Sequence, residues 1–229
     1  MGMEAVMTTW MLGLVSGMRH AFEPDHVAAM STLVAEGHGG RRTAWLGAWW
    51  GLGHTAALLG VGLALGLLRA ELSEGTEQAL EAAVGVMLLA LGARAIRRGL
   101  REMRDGPDAW HAHHGHAHHH PMAGRHLHLA GWALSPRSFA VGLVHGVAGS
   151  GALVALAMSE LATLPSRLLY VALFGLGSVF AMAALSGLAG WQLAQVAARR
   201  GVHAGLQVMA GLLALVVGVI WAAPILNVL

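Results

Sequence analysis

The stretch AWLGAWWGLGHTAALLGVGLALGLL, residues 44–68, determines the fold class, because His54 is its only ionisable side chain. A helix needs about 20 mainly apolar residues to cross the hydrocarbon core of a bilayer. Five more stretches of this character follow or precede it. The expected membrane spans are 5–35, 44–68, 78–97, 138–160, 167–191 and 203–226.

The composition of the whole chain agrees with a membrane protein. Of its 229 residues 56% are hydrophobic and 11% are charged, whereas soluble domains carry about 25% charged residues. Cysteine is absent, which excludes disulfides, zinc ribbons and iron–sulfur clusters. Lysine is absent too, which excludes the phosphate-binding lysine of a P-loop nucleotide site. A bound metal would therefore have nitrogen, oxygen or thioether ligands.

The arginines lie almost entirely on one side of the predicted bundle. The connectors between spans 1–2, 3–4 and 5–6 carry Arg41, Arg42, Arg94, Arg97, Arg98, Arg101, Arg104, Arg125, Arg137, Arg199 and Arg200. The opposite side carries Arg69 and Arg167. Because cytoplasmic loops are rich in basic residues, we expect the arginine-rich side in the cytoplasm and both termini outside. This sidedness explains the arginines without a nucleic-acid partner. A cleavable signal peptide is not expected, since the N-terminus lacks a basic region.

The chain matches itself at an offset of 124 or 125 residues. The matches are residues 51–54 (GLGH) with 175–178 (GLGS), 88–91 (LLAL) with 212–215 (LLAL), and Gly17 and His20 with Gly142 and His145. The first three spans thus match the last three. Because three is an odd number, the second copy starts on the opposite side of the membrane and is inverted. Inverted three-helix repeats are typical of secondary transporters. We predict one all-α transmembrane domain over residues 1–229, with repeats at about 5–97 and 138–229 and a cytoplasmic loop between them at about 98–137.

Residues 19–26 (RHAFEPDH) place several ionisable side chains within the first span. Such groups are costly in a membrane and indicate function. On a regular helix His20, Asp25 and His26 would not share a face, because offsets of five and six residues turn about 140° and 240°. Pro24 lacks the N–H that would bond the His20 carbonyl, so we expect the helix to break there. We expect the freed carbonyl to line a cavity or bind a ligand. Two imidazoles and a carboxylate at such a break indicate a divalent-cation site.

Two further histidines extend this candidate site. His54 lies near the middle of the second span between small residues, and His145 is the corresponding histidine of the second repeat. Each histidine alone could be a hydrogen-bonded structural residue. Together, His20, His26, His54 and His145 are expected near one depth of the membrane, and this grouping favours a metal site. The second repeat has Ser150 where the first has Asp25, so the ligand set is asymmetric. Ser178, which aligns with His54, is a secondary candidate.

These motifs resemble those of the nickel/cobalt transporter family (NiCoT). Arg19-His20-Ala21-Phe22 followed by Asp25-His26 matches the family's His-x4-Asp-His signature, and residues 52–55 (LGHT) look like its second motif. Residues 144–151 (VHGVAGSG) look more like its small six-span relatives, which include nickel/cobalt efflux proteins and urease- or hydrogenase-associated permeases. The resemblance implies Ni²⁺ or Co²⁺ as transported substrate, with His20, Asp25 and His26 needed for metal recognition. Arg19, Glu23, Pro24 and Thr55 come within or beside these motifs. It also implies a nickel chaperone or urease or hydrogenase maturation proteins as cytoplasmic partners.

A histidine tract, residues 111–128 (HAHHGHAHHHPMAGRHLH), lies between the third and fourth spans. Its histidines are His111, His113, His114, His116, His118, His119, His120, His126 and His128. The composition does not suit a packed element, and imidazoles bind Ni, Cu, Zn or Co. The expected role is to buffer imported metal or to supply an exporter; a solvated spacer is the alternative.

The leading hypothesis is a secondary transporter of Ni²⁺ or Co²⁺ that holds the ion with His20, Asp25, His26, His54 and His145. No catalytic cofactor and no enzyme activity are expected. One alternative is a membrane metal-binding accessory protein without transport. Another is an intramembrane metal-dependent hydrolase, which the absence of an HExxH motif disfavours. The sequence does not distinguish import from export.

Overall fold

The protein is an assembly of helices with one short hairpin. The computed structural model describes residues 3–35, 39–68, 72–105, 128–129, 132–133, 135–148, 161, 163–196 and 202–226. Its elements are α1 (Met3–His20), α2 (Pro24–Val34), α3 (Gly40–Leu68), α4 (Glu74–Asp105), β1 (His128–Leu129), β2 (Trp132–Ala133), α5 (Pro136–Ala148), α6 (Leu164–Val196) and α7 (Val202–Leu226).

Four of these helices are long and apolar enough to cross a membrane. They are Gly40–Leu68, Glu74–Arg104, Leu164–Gln195 and Val202–Ala223. They correspond to the second, third, fifth and sixth predicted spans. The prediction of a helical membrane protein is thereby confirmed.

The other two predicted spans are built from shorter helices. The first is divided into α1, with 18 residues, and α2, with 11. The interruption occurs at Pro24, as predicted. The first part of the fourth span is α5, with 13 residues, and residues 149–160 lie outside the described part of the chain. The count of six spans stays a prediction.

Two local features differ from the sequence prediction. Residues 98–105, assigned to the cytoplasmic loop, continue α4 as helix, because arginine and leucine favour helix even outside the membrane. The all-α prediction also missed the hairpin, in which His128 pairs with Ala133 and Leu129 with Trp132. A pairing of two residues is too short to produce a recognisable hydrophobic alternation.

The break between α1 and α2 is a tight turn with regular hydrogen bonds. The N–H of Phe22 donates to the carbonyl of Arg19, and the N–H of Glu23 donates to the carbonyl of His20, both at 3.0 Å. Glu23 is extended (φ −62°, ψ 148°), and Pro24 opens α2, where its missing N–H costs nothing. The carbonyl of His20 thus accepts one hydrogen bond, from the N–H of Glu23, and the expectation that it lines a cavity or binds a ligand stays a prediction.

Glycines bring the backbones of α3 and α5 into direct contact. A Cβ atom on Gly53 would collide with the carbonyl oxygen of Phe139, and one on Gly142 would collide with the carbonyl oxygen of Trp50. A Cβ on Gly146 would likewise collide with the carbonyl oxygen of His54. Small residues at such positions allow close helix packing in membranes. As a result, the stretch of α3 around His54 lies directly against α5.

The same kind of contact joins α1 to α6. A Cβ on Gly17 would collide with the carbonyl oxygen of Phe174, and one on Gly177 would collide with the carbonyl oxygen of Leu14. The interfaces of α3 with α6 and of α4 with α7 are the most extensive. The core between the helices contains fully buried Trp50.

We predict that Gly53→Ala lowers the thermal stability of the protein, because the added methyl group forces α3 and α5 apart. Overpacking of this kind costs about 1–3 kcal/mol. Gly60→Ala in the same helix is the matched control, since no described residue has an atom within 4 Å of its Cβ position. It should be neutral or stabilising by up to about 1 kcal/mol. Thermal unfolding in detergent, monitored by size-exclusion chromatography, measures the stability of both variants. Equal stabilities would contradict the close packing of α3 on α5.

Candidate metal centre

Five side chains predicted as metal ligands come together from four helices. His20 ends α1, Asp25 and His26 lie in the first turn of α2, His54 lies near the middle of α3, and His145 lies in the last turn of α5. Four of the five residues are at most 4% exposed, and the side chain of His20 is 12% exposed. The structure therefore has a buried polar cluster at the helix break.

The break itself turns Asp25 and His26 towards the other helices. Both residues are buried, whereas Phe22 and Glu23 in the turn are exposed. The ring of His26 stacks on the indole of Trp50, with centroids 5.5 Å apart. Trp50 also contacts the ring of His145, at 5.4 Å. Trp50 therefore fixes the orientation of two of the five side chains.

The possible ligand atoms form two groups of three. His20, His26 and His54 form one group, and Asp25, His26 and His145 form the other; within each group the atoms lie within 4.8 Å of one another. Metal–ligand bonds of about 2.0–2.2 Å place neighbouring ligand atoms roughly 3–4 Å apart. Either group is therefore compact enough to surround a transition-metal ion.

The carboxylate of Asp25 joins two of the imidazoles. Its Oδ1 lies 3.1 Å from Nδ1 of His26, within hydrogen-bond distance. Its Oδ2 lies 3.5 Å from Nε2 of His145, which is ion-pair distance without hydrogen-bond geometry. The rings of His26 and His145 are 4.7 Å apart. Asp25 thus supplies the anionic charge of the cluster.

Most of the imidazole nitrogens are buried without a hydrogen-bond partner among the described residues. This holds for both nitrogens of His54 and His145 and for Nε2 of His20 and His26. Leaving a buried polar atom unpaired costs about 1–3 kcal/mol, and such atoms are rare in folded proteins. Among the described residues, His54 therefore has no hydrogen bond of the kind that a structural role would give it. Imidazole nitrogens held in this way can act as metal ligands when they are unprotonated.

The secondary candidates in the first motif lie at the rim of the cluster. Oε1 of Glu23 is 2.9 Å from Nδ1 of His20, and the Glu23 side chain is 50% exposed. Arg19 is exposed, and Pro24 starts α2. Of these, Glu23 is the one in contact with a predicted ligand.

The hydroxyl candidates bond to helix backbones. Oγ1 of Thr55 donates to the carbonyl of Gly51 at 2.8 Å, and Oγ of Ser178 donates to the carbonyl of Gly17 at 3.0 Å. The Ser178 bond joins α6 to α1 close to His20. Ser150 lies outside the described residues.

The histidine tract lies outside the described residues except for its last member, His128, which belongs to β1. Its metal-buffering role stays a prediction.

Sequence reasoning missed two features. Trp50 lies four residues before His54 and so shares its face of α3, a spacing that could have indicated its place in the cluster. Outside the cluster, Nδ1 of His203 on α7 lies 2.9 Å from Oε1 of Glu102 on α4. Gln207 Nε2 donates to the same carboxylate at 3.2 Å.

Apolar helices around buried imidazoles and a carboxylate define a membrane protein with a candidate transition-metal site. The chain is 32% identical over 208 residues to the urease accessory protein UreH of Bacillus sp. (strain TB-90), and the match covers 91% of this chain and 87% of the relative. The chain therefore belongs to the family of the urease accessory protein UreH. No protein-family model matches the chain, and no solved structure is significantly similar to it.

We predict that His54→Leu leaves the stability of the metal-free protein unchanged or raises it by about 1–3 kcal/mol. The leucine has a similar volume and removes two unpaired buried nitrogens, a replacement that is neutral or favourable. His203→Leu is the matched comparison and should be destabilising, because it removes a partner of Glu102. Thermal unfolding in metal-free detergent solution measures both. A large loss of stability in His54→Leu alone would show that His54 has a structural role.

Proposed function

We propose that this protein is a secondary transporter that moves Ni²⁺ or Co²⁺ across the cytoplasmic membrane. The observation that supports it best is the cluster of His20, Asp25, His26, His54 and His145, whose imidazole nitrogens are buried and largely unpaired. Ionisable groups within a membrane bundle mark ion pathways. The ion is the substrate of the protein, and no catalysis is involved.

The donor set favours later first-row divalent metals. Imidazole nitrogens suit Ni, Co, Cu and Zn, whereas sites for Mg²⁺ and Ca²⁺ consist of oxygens. Four imidazoles and one carboxylate make the cluster nitrogen-rich, and the chain has no thiolate to compete. The relative is a urease accessory protein, and the resemblance to the nickel/cobalt transporters and their urease-associated relatives also supports nickel.

The proposed transport mechanism is a rocking of two inverted repeats about the metal site. Gly53 packs on Phe139 and Leu143, and at the offset of the repeat Gly177 packs on Leu14 and Met18. This correspondence supports equivalent interfaces, α3 with α5 and α6 with α1.

Two further pairs of glycine contacts are related by the offset of the repeat. Gly142 packs on the carbonyl of Trp50, and Gly17 packs on that of Phe174. Gly51 contacts Val179, and Gly175 contacts Thr55. At each of these interfaces a helix of one half packs on a helix of the other half. Relative movement of the halves would therefore change access to the cluster.

The proposed orientation has the arginine-rich connectors and the histidine tract in the cytoplasm and both termini outside. A tract of imidazoles in this connector would raise the local metal concentration at the cytoplasmic face of the bundle. Its partners there would be a nickel chaperone or urease or hydrogenase maturation proteins. The membrane potential, proton exchange or a separate partner protein would drive transport.

A membrane accessory protein that binds metal without transporting it is the second candidate, supported by the name of the relative, a urease accessory protein. It differs from the first in one measurable property, the flux of metal through the purified protein.

We predict that proteoliposomes containing the full chain accumulate ⁶³Ni²⁺ or Co²⁺, and that His26→Ala reduces the rate at least about tenfold. Even changes in residues that support metal ligands cost ten- to hundredfold. His203→Ala, which removes a histidine outside the cluster, is the control and should transport at near the wild-type rate. Metal binding without flux in the wild type would favour the accessory protein. Equal flux in wild type and His26→Ala would contradict the proposed site.

We also predict that metal binding weakens as the pH falls from about 8 to about 5. Only a deprotonated imidazole binds a metal, so protons compete with the ion for the same nitrogens. The metal affinity should therefore fall on acidification. Isothermal titration calorimetry of the detergent-solubilised protein measures this affinity. Binding that strengthens on acidification would contradict histidines as the ligands.

A further inference from the structure

The five side chains of the metal cluster do not form a single group. We define the outer triad as His20, His26 and His54 and the inner triad as Asp25, His26 and His145. His26 alone belongs to both. Its ring lies 4.4 Å from His20 and 5.2 Å from His54 on one side, and 4.7 Å from His145 on the other.

His26 has a suitable geometry for a shared ligand. An imidazole has two nitrogens, and each can bind a metal. Nδ1 of His26 lies 3.1 Å from the carboxylate of Asp25, on the side of the inner triad. Nε2 is buried and has no hydrogen-bond partner among the described residues. The two nitrogens can therefore serve two positions in turn.

The two triads differ in their distance from the surface. Glu23 is 50% exposed and contacts His20, which is 12% exposed. The side chains of His26, Asp25 and His145 are 2%, 6% and 0% exposed. The exposed carboxylate of Glu23 thus contacts the imidazole of His20, the most exposed member of the outer triad. An ion that approaches from the helix break meets the outer triad first.

The two triads also differ in charge. The outer triad has three imidazoles and no carboxylate, so it compensates none of the charge of a divalent cation. The inner triad contains Asp25, which compensates one unit. Because an uncompensated charge is costly in a low-dielectric interior, the ion gains free energy by moving inward. Two divalent ions so close together would repel each other strongly.

We propose that the cluster offers two successive positions to a single ion, which binds the outer triad and then passes to the inner triad, exchanging its bond to Nε2 of His26 for a bond to Nδ1. This inference rests on the proposed transport function. The asymmetry between the repeats then has a purpose, because Asp25 has no counterpart in the second repeat, where Ser150 stands.

The experiment is a Co²⁺ titration of the full chain in detergent, followed by visible absorption spectroscopy and by the number of ions bound. The visible spectrum of Co²⁺ reports its ligands. Wild type should bind one ion at the cluster. His54→Leu and His20→Ala damage the outer triad and should share one spectrum, from the inner position. His145→Leu and the isosteric Asp25→Asn damage the inner triad and should share a different, more nitrogen-rich spectrum.

The histidine tract is expected to bind Co²⁺ as well, so each spectrum is measured as a difference from His26→Leu. That variant removes the shared ligand and should lose both spectra while keeping the signal of the tract. In proteoliposomes each of the four single-triad variants should retain Co²⁺ binding yet transport at least about tenfold more slowly. His203→Ala again serves as the control for loss of a histidine elsewhere.

Three outcomes would overturn the two-position model. Loss of cluster binding in both His54→Leu and His145→Leu would indicate one site with five ligands. Transport by the wild type would in that case still support the proposed function. Identical spectra in the two classes of variant would also contradict two positions. Two ions bound at once at the cluster would contradict transfer of a single ion. Full binding and flux in His26→Leu would instead refute the proposed function itself.

Discussion

The metal cluster depends on the interruption of the first membrane helix at Pro24. Proline cannot donate the hydrogen bond that would continue α1, and it opens α2 without loss. The turn between them rotates Asp25 and His26 inward, away from the positions that a continuous helix would give them. Both side chains then face His54 and His145. Without the break, the two imidazoles and the carboxylate of the first motif would point in different directions.

Close packing of the helices makes the cluster compact. Backbone contact at Gly53, Gly142 and Gly146 holds α3 against α5, so His54 and His145 approach the break from the same side. The cluster has an energetic cost, since several buried nitrogens lack partners. Proteins tolerate such a cost mainly at functional sites, where stability is exchanged for activity. A divalent ion would compensate it by using the same nitrogens as ligands.

The sequence predicts those parts of the structure that are encoded locally. Membrane helices follow from length and apolar composition, and the break follows from a single proline. The cluster of histidines could be inferred because ionisable side chains within the predicted spans are few and concentrated at residues 19–26, His54 and His145. Metal binding by these side chains stays a prediction.

Other features depend on the relative placement of distant helices, which local patterns do not encode. The chain has 32 glycines, and the sequence does not distinguish those at helix contacts from Gly60, which no other described helix approaches. The pairing of Glu102 with His203 joins residues 101 positions apart. The division of the ligands into two triads similarly depends on the orientation of His26. These features required the packed structure.

The central claim is that the cluster around His26 binds a transported metal ion. Anomalous X-ray diffraction from crystals of the full chain grown with Co²⁺ tests it most directly, because the anomalous signal locates the metal among the side chains. The account predicts a peak at bonding distance, about 2.0–2.2 Å, from a ring nitrogen of His26, with further ligands from one of the two triads. Well-ordered crystals with Co²⁺ bound only elsewhere would contradict it.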